Sequence, residues 1–333
     1  MHAWLFRRVL ALWENKARAF RWEMWLGMLP LLFLAARGSV GTFPLTPNRI
    51  PSQGALVLDH AVVNGPMALA VAYAEWRRSN KLPAVSRGEL EAAWRTLEGT
   101  PLPKDPLAAM MRRFGVLSEA PKPHIVVLQM ESMGAAVWDL ERAGVDLLGR
   151  LRAHLHEMFV FPRAVSAGLG THITLERITT GAWLKHISRG PYRRNALFGA
   201  YPEALARAGW HTLFLTGGVL HWSHFDEFLP AQGFQELVGM RRIQEAIPEA
   251  QADGTWGVFD EYLFRYLQQR LLTARRPLFV YAMTITNHSP YHLPAHATPQ
   301  RITPPEAWVD RFIRPEEAPK ALAAYRYAAD QAG

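Results

Sequence analysis

Three short apolar runs, each bounded by polar or turn-forming residues, punctuate the last two thirds of the chain: His124–Met130 (HIVVLQM), His211–Leu215 (HTLFL) and Leu278–Met283 (LFVYAM). Each is too short for a stable helix and rich in β-branched or aromatic residues. They read as strands of a parallel sheet, buried on both faces. Helical spacing fills the intervals and predicts helices over Val145–Met158, Tyr201–Ala208 and Val258–Leu272, with a further one over Ile173–Thr180. Strand–helix alternation predicts an α/β fold with helices on both faces of a mostly parallel sheet. The stretch from Pro294 to Pro319 holds six prolines and reads as a loop, and a last helix is expected over Glu316–Ala332. Upstream, residues 61–118 carry helical spacing at Ala68–Trp76, Glu89–Leu97 and Pro106–Phe114. Residues 38–60 are rich in Gly, Pro, Ser and Asn and read as a linker.

The most apolar segment lies near the N-terminus. Met24–Ala36 runs 13 residues without a charge, short of the ~20 of a comfortable bilayer span. Trp22 and Trp25 suit a headgroup layer, and Arg7, Arg8, Lys16, Arg18 and Arg21 crowd its N-terminal side. A spanning helix is expected, with the N-terminus inside and the rest outside; the alternative is a buried or interfacial helix. The expected division is therefore a basic N-terminus and membrane anchor over 1–37, a linker and helical connector over 38–120, and a main domain over 121–333.

Charge and composition narrow the partners. The formal net charge is +8, and its N-terminal concentration suits an anionic membrane better than a nucleic-acid groove. No nucleic-acid partner is expected. The chain has no cysteine, which excludes disulfides, zinc–thiolate sites and a cysteine nucleophile.

In an open α/β sheet, ligands bind at the carboxyl ends of the strands. Glu131-Ser132 follows the first run, Thr216-Gly217-Gly218 the second and Thr286-Asn287-His288 the third. A carboxylate, glycine turns and a histidine would thus converge on one edge, a place for a divalent cation and an anionic group. Glu131 reads either as a metal ligand or as a solvated strand-end acid. Thr171, after Ala167-Gly168-Leu169-Gly170, reads either as a helix cap or as a nucleophile activated by a metal; Thr174 is the competing hydroxyl. His288 reads as structural or as an anion contact. Asp59-His60 lies in the linker and reads as structural.

Taken in order, HIVVLQMESM, GLGTHITLERITTG, TGGVLHWSHFDEFLPAQGF, WGVFDEY and FVYAMTITNHSPYHLP resemble the lipoteichoic acid synthase group of sulfatase-like phosphotransferases, and RGSVGTFPL is similar to the stretch after that group's last membrane helix. The resemblance covers roughly residues 37–332. It implies an alkaline-phosphatase-like fold outside the cytoplasm, on a bacterial inner or cytoplasmic membrane and facing the periplasm or cell exterior. It implies one divalent ion, Mn²⁺ first, and a threonine that takes a phosphoglycerol or phosphoethanolamine headgroup from an anionic phospholipid and passes it to a glycan or polymer. Glu131 matches the first metal-ligand position and Thr171 the nucleophile, itself a metal ligand. His288 matches the headgroup histidine, and Trp222 and His224 fall in the headgroup-contacting stretch, where the group often has an arginine in place of His224. Glu176 stands five residues after Thr171, where the group usually has a glutamate at four.

The group also supplies an Asp and a His from a Gly-Asp-His turn, after a helix that resembles AAYRYAADQAG. The sequence stops at Gly333, so the resemblance implies a fragment or truncated product with a weakly held ion, impaired activity and an unpaired sheet edge. Two other functions stay open. One is a sulfatase or phosphodiesterase, although no Cys/Ser-x-Pro-x-Arg motif follows the first strand. The other is a non-catalytic, membrane-tethered fragment.

Overall fold

The computed structural model describes residues 28–32, 69, 73, 77, 85–106, 121–134, 138–161, 164–184, 186–297, 302–312 and 314–333. The chain divides into two compact units, Met1–Ile50 and Pro51–Gly333. In the first, residues 28–32 are helical and exposed. Among the described residues no helix is long and apolar enough to cross a membrane. The rest of the expected anchor, the linker, the Pro106–Phe114 helix beyond Pro106, and Ala68–Trp76 apart from the helical Leu69 and Tyr73 lie outside the described residues.

In the second unit the elements run α1 (Arg87–Glu98), β1 (Ile125–Gln129), α2 (Trp138–Arg142), α3 (Leu151–His154), α4 (Thr171–Thr180), α5 (Tyr201–Arg207), β2 (His211–Thr216), α6 (Phe225–Ala231), β3 (Glu236–Val238), α7 (Met240–Ala246), α8 (Asp260–Thr273), β4 (Leu278–Met283), α9 (Glu306–Val309) and α10 (Ala318–Ala332). The four strands form one sheet in the order β1-β4-β2-β3, and every neighbouring pair is parallel. The parallel α/β sheet expected from the apolar runs is therefore present.

Side-chain alternation divides the sheet into two chemically distinct faces. Leu213, Leu215, Val280 and Ala282 pack with Tyr262, Leu263, Tyr266 and Leu267 of α8 and with Ile243 of α7. Phe214, Phe279 and Tyr281 face the other way, onto Leu175 of α4 and Phe225, Phe228 and Leu229 of α6. A third cluster joins Leu322 and Tyr325 of α10 to Leu140, Leu147 and Leu148.

Two expectations are corrected here. The first strand is not buried on both faces. Among the described residues it pairs with β4 alone, and Val126 is exposed. The helix expected over Val145–Met158 is interrupted. The Glu141 carboxylate accepts the N–H groups of Leu147 and Leu148, and Asp146 accepts that of Gly149. These side chains take donors that a helix ladder would use, so the helix reduces to α3 and a 3₁₀ turn over Leu155–Glu157. The sequence reading also missed β3, at three residues too short to show a period, and the short helices α2, α6, α7 and α9.

Candidate active site

The parallel register brings three strand ends to one level, with Gln129 opposite Met283 and Met283 opposite Thr216. The residues that follow therefore share an edge. Glu131 is tied to it through its own backbone, whose N–H donates to Thr284 Oγ1 at 2.8 Å. The Asn287 side-chain amide donates to the Glu131 carbonyl at 3.1 Å.

Thr171 reaches the same place from across the chain. It is the first residue of α4, and Gly170 before it is extended. A side chain at Gly168 would press on Ile173, so the glycine lets the loop close against the helix. Gln129 Nε2 donates to the Thr171 carbonyl at 3.1 Å, and its own oxygen accepts from the buried Tyr281 hydroxyl at 2.5 Å. The Thr171 hydroxyl donates to Glu131 Oε2 at 2.8 Å, while Ser132 Oγ donates to Oε1 at 3.0 Å. The competing Thr174 is buried, and its hydroxyl is occupied by the Gly168 carbonyl at 3.1 Å. Of the two, Thr171 alone presents its hydroxyl to a carboxylate.

Glu176 explains itself by helix geometry. A fifth residue lies about 100° round the helix from a fourth, and this offset turns Glu176 into the core. It is fully buried and accepts from Ile187 N–H at 3.1 Å, Ser188 N–H at 2.9 Å and Ser188 Oγ at 2.6 Å. The next residue, Arg189, donates from Nε and a terminal nitrogen to Ser223 Oγ at 3.0 and 2.7 Å, and lies over the Trp222 ring. His172, beside Thr171, stacks on His186 and meets Trp222 edge-on. Trp222 and His224 are thus tied to the Thr171 helix through a polar chain. Replacing Glu176 with alanine leaves three buried donors unpaired. That variant is expected to lose about 3 kcal/mol or more in urea denaturation; an unchanged midpoint would contradict the assignment.

His288 stands at the end of the loop after β4. Its Nδ1 lies 2.9 Å from the Ser289 carbonyl. A carbonyl only accepts, so Nδ1 carries the proton and Nε2 is the acceptor in the neutral ring. The ring packs on Trp256 at 4.0 Å between centroids, and Trp256 Nε1 donates to the Ser289 carbonyl at 2.8 Å. Asp253 Oδ1 fixes the Trp256 loop by accepting the N–H groups of Thr255, Trp256 and Gly257. The Gly217-Gly218 turn, expected to face a ligand, instead admits this loop. A side chain on Gly257 would overlap the Gly217 carbonyl, and the Val258 N–H donates to that oxygen at 3.0 Å.

Asp260 opens α8 and is completely buried, accepting from Ile285 N–H at 2.9 Å and Thr286 N–H at 3.3 Å. Burial raises its carboxyl from 3.8 to about 6 against those donors, and the Glu131 charge adds to the rise. The fold therefore favours the protonated form. Its contribution is complete below pH 3.8 and is lost as the pH rises through about 6. Metal-free protein is expected to lose roughly 3 kcal/mol of stability from this group across that window, and Asp260→Asn should flatten the slope. Equal slopes would contradict it.

Backbone strain marks the same edge. Among the described residues the non-glycine positive φ angles fall at Ser132, His186, Ser223, His224 and Tyr291. Ser132 adjoins Glu131, His186 stacks on His172, Ser223 and His224 follow Trp222, and Tyr291 closes a turn onto the His288 carbonyl. Such conformations cost about 1–3 kcal/mol each and collect at functional sites.

The sequence reading did not single out Asp260, Trp256 or Arg189. The first two lie in WGVFDEY, whose tight packing under His288 leaves no periodic signal, and Arg189 lies in a loop. Glu131 and Thr171 offer two hard oxygen donors, the type Mg²⁺ and Mn²⁺ prefer. Among the described residues no group of three or more His, Asp or Glu is placed to hold a metal ion.

The family model described as Sulfatase matches residues 123–315. The solved lipoteichoic acid synthase LtaP from Listeria monocytogenes is 15% identical, with a TM-score of 0.52 over 73% of this chain and 56% of its own. A protein in the alkaline phosphatase superfamily from Vibrio parahaemolyticus is 23% identical, with a TM-score of 0.49 over 65% of this chain and 51% of its own. The chain thus spans about half the length of these structures. The architecture is alkaline-phosphatase-like, as expected.

Proposed function

The chain belongs to the sulfatase family, and on that premise we propose that it is an enzyme, a phosphotransferase that moves a phosphoglycerol-type headgroup from an anionic phospholipid to a glycan or polymer through Thr171. The observation that carries this reading is the 2.8 Å hydrogen bond from the Thr171 hydroxyl to Glu131.

In the first step the Thr171 oxygen attacks phosphorus and the bond from phosphorus to the diacylglycerol oxygen breaks. Glu131 is placed to hold the hydroxyl proton, and the departing oxygen takes up a proton. In the second step an acceptor hydroxyl attacks the same phosphorus and gives its proton to solvent, which offsets the one taken up by the diacylglycerol oxygen, while the Thr171 oxygen leaves and recovers its proton from Glu131. His288, through Nε2, together with Trp222 and His224, would receive the headgroup hydroxyls and phosphate. Glu131 and Thr171 would hold one divalent ion, Mn²⁺ first, which supplies charge neutralisation at the phosphoryl oxygens. On this reading the domain works at the outer face of a bacterial membrane. The apolar Met24–Ala36 segment and the basic residues before it support anchoring there.

Vesicles of phosphatidylglycerol with Mn²⁺ test the reading. Diacylglycerol is expected to be released and an acceptor labelled with phosphoglycerol. Release from phosphatidylethanolamine alone would change the headgroup. Hydrolysis of an aryl sulfate ester without lipid turnover would replace the reading with a sulfatase one.

A further inference from the structure

Large apolar side chains stand in solvent on either side of the Thr171 helix. Phe159 is 94% exposed, Val165 91% and Trp183 80%; Phe161 is mostly exposed and Leu169 fully so. Such residues are ordinary when scattered singly, but gathered beside one element they mark a surface that meets an apolar phase or a partner. Local bonds gather them. Arg177 of α4 donates to the Ala167 carbonyl at 2.6 Å and to the Trp183 carbonyl at 3.3 Å. Its guanidinium lies 4.9 Å over the Trp183 ring. The Thr174 hydroxyl donates to the Gly168 carbonyl at 3.1 Å. The loop that carries Val165 and Leu169 is thereby fastened along α4, with Trp183 at the helix's far end.

Charge chooses the occupant. Six arginines and lysines lie between Glu157 and Glu203 against one acid, the buried Glu176; with Glu227, the partner of Arg193 and Arg194, the formal surplus is four positive charges. Apolar side chains among cations, with a Trp ring beneath an Arg, suit the boundary between acyl chains and anionic headgroups. A nucleic acid would meet the cations and leave the apolar groups in water. A second copy of this chain would set like charges against each other. We propose that Phe159, Phe161, Val165, Leu169 and Trp183 dip into an anionic phospholipid leaflet beside Thr171. This is contact with one leaflet, not a span. Leu169 stands two residues before Thr171, at most about 7 Å of backbone, and a headgroup layer is roughly 5–7 Å deep. A leaflet that covers Leu169 therefore brings headgroups to the level of Thr171. That this leaflet supplies the donor lipid rests on the transfer reading; the affinity for it does not.

The chain has no cysteine, so a single one placed by mutation carries a polarity-sensitive fluorescent label without ambiguity. Leu169→Cys and Phe159→Cys report on the proposed surface. Leu272→Cys, exposed near the end of α8, reports on a place outside it. Each full chain is mixed with phosphatidylglycerol vesicles that carry a quencher on their acyl chains. The labels at positions 169 and 159 are expected to shift to the blue and be quenched, and the label at position 272 to do neither. Phosphatidylcholine vesicles should need about tenfold more lipid or beyond for the same response. Trp183→Ser, at an exposed position, should weaken the response at position 169 about tenfold. Attachment through the N-terminal segment alone would leave the three labels alike. Equal responses at the three positions, or none at all, overturn the proposal. A response at position 169 that grows with protein concentration in the absence of vesicles also overturns it, and makes the surface an interface between copies. Quenching at positions 169 and 159 without lipid turnover leaves the surface standing and removes the transfer reading; turnover without that quenching does the reverse.

Discussion

Replacing Thr171 with alanine is expected to lower headgroup transfer by at least about three orders of magnitude, with little change in stability. The side chain is half-buried, and its hydroxyl makes one bond, to Glu131. Thr171 starts its helix, so the backbone has no need of the side chain as a cap. Removing the hydroxyl removes the atom that attacks phosphorus. Thr174→Ala supplies the control. Its hydroxyl caps the Gly168 carbonyl, so that variant should lose about 1 kcal/mol of stability and retain turnover. The opposite pattern, with Thr174 essential and Thr171 dispensable, would reverse the assignment.

The second large effect is expected at Glu131. Glu131→Gln keeps the shape and the hydrogen bond to Thr171 but removes the charge. Transfer should fall at least about a hundredfold, and Mn²⁺ affinity by a similar factor. Two protein donors leave most of an octahedral shell to water and substrate, so the unaltered chain should bind Mn²⁺ weakly and more tightly when headgroup is present. Electron paramagnetic resonance of free Mn²⁺ reads both quantities. Equal binding by the unaltered chain and the glutamine variant would show that the ion sits elsewhere.

The parallel sheet and its functional edge were legible because their signals are local. The apolar runs ending at Met130, Leu215 and Met283 have the right length and no helical period. The residues after them fall together once the strands are parallel. What escaped was set by tertiary context. The helix expected over Val145–Met158 fails because Glu141 and Asp146 take its backbone donors, a competition that spacing does not report. The glycines at 217 and 218 were read as facing a ligand, but their lack of side chains serves the passage of Gly257 and Val258. The inward role of Glu176 follows from its one-residue offset along α4. That offset is visible in the sequence, whereas its three donors come from a loop eleven and twelve residues away.

The reading stands or falls on where the phosphoryl group is held between its two transfers. Brief reaction with phosphatidylglycerol and Mn²⁺, acid quenching and peptide mass spectrometry locate it directly. A phosphoglycerol adduct on Thr171, absent from Thr171→Ala, is the predicted result. Turnover with the adduct on another residue, or with none formed at all, would contradict it.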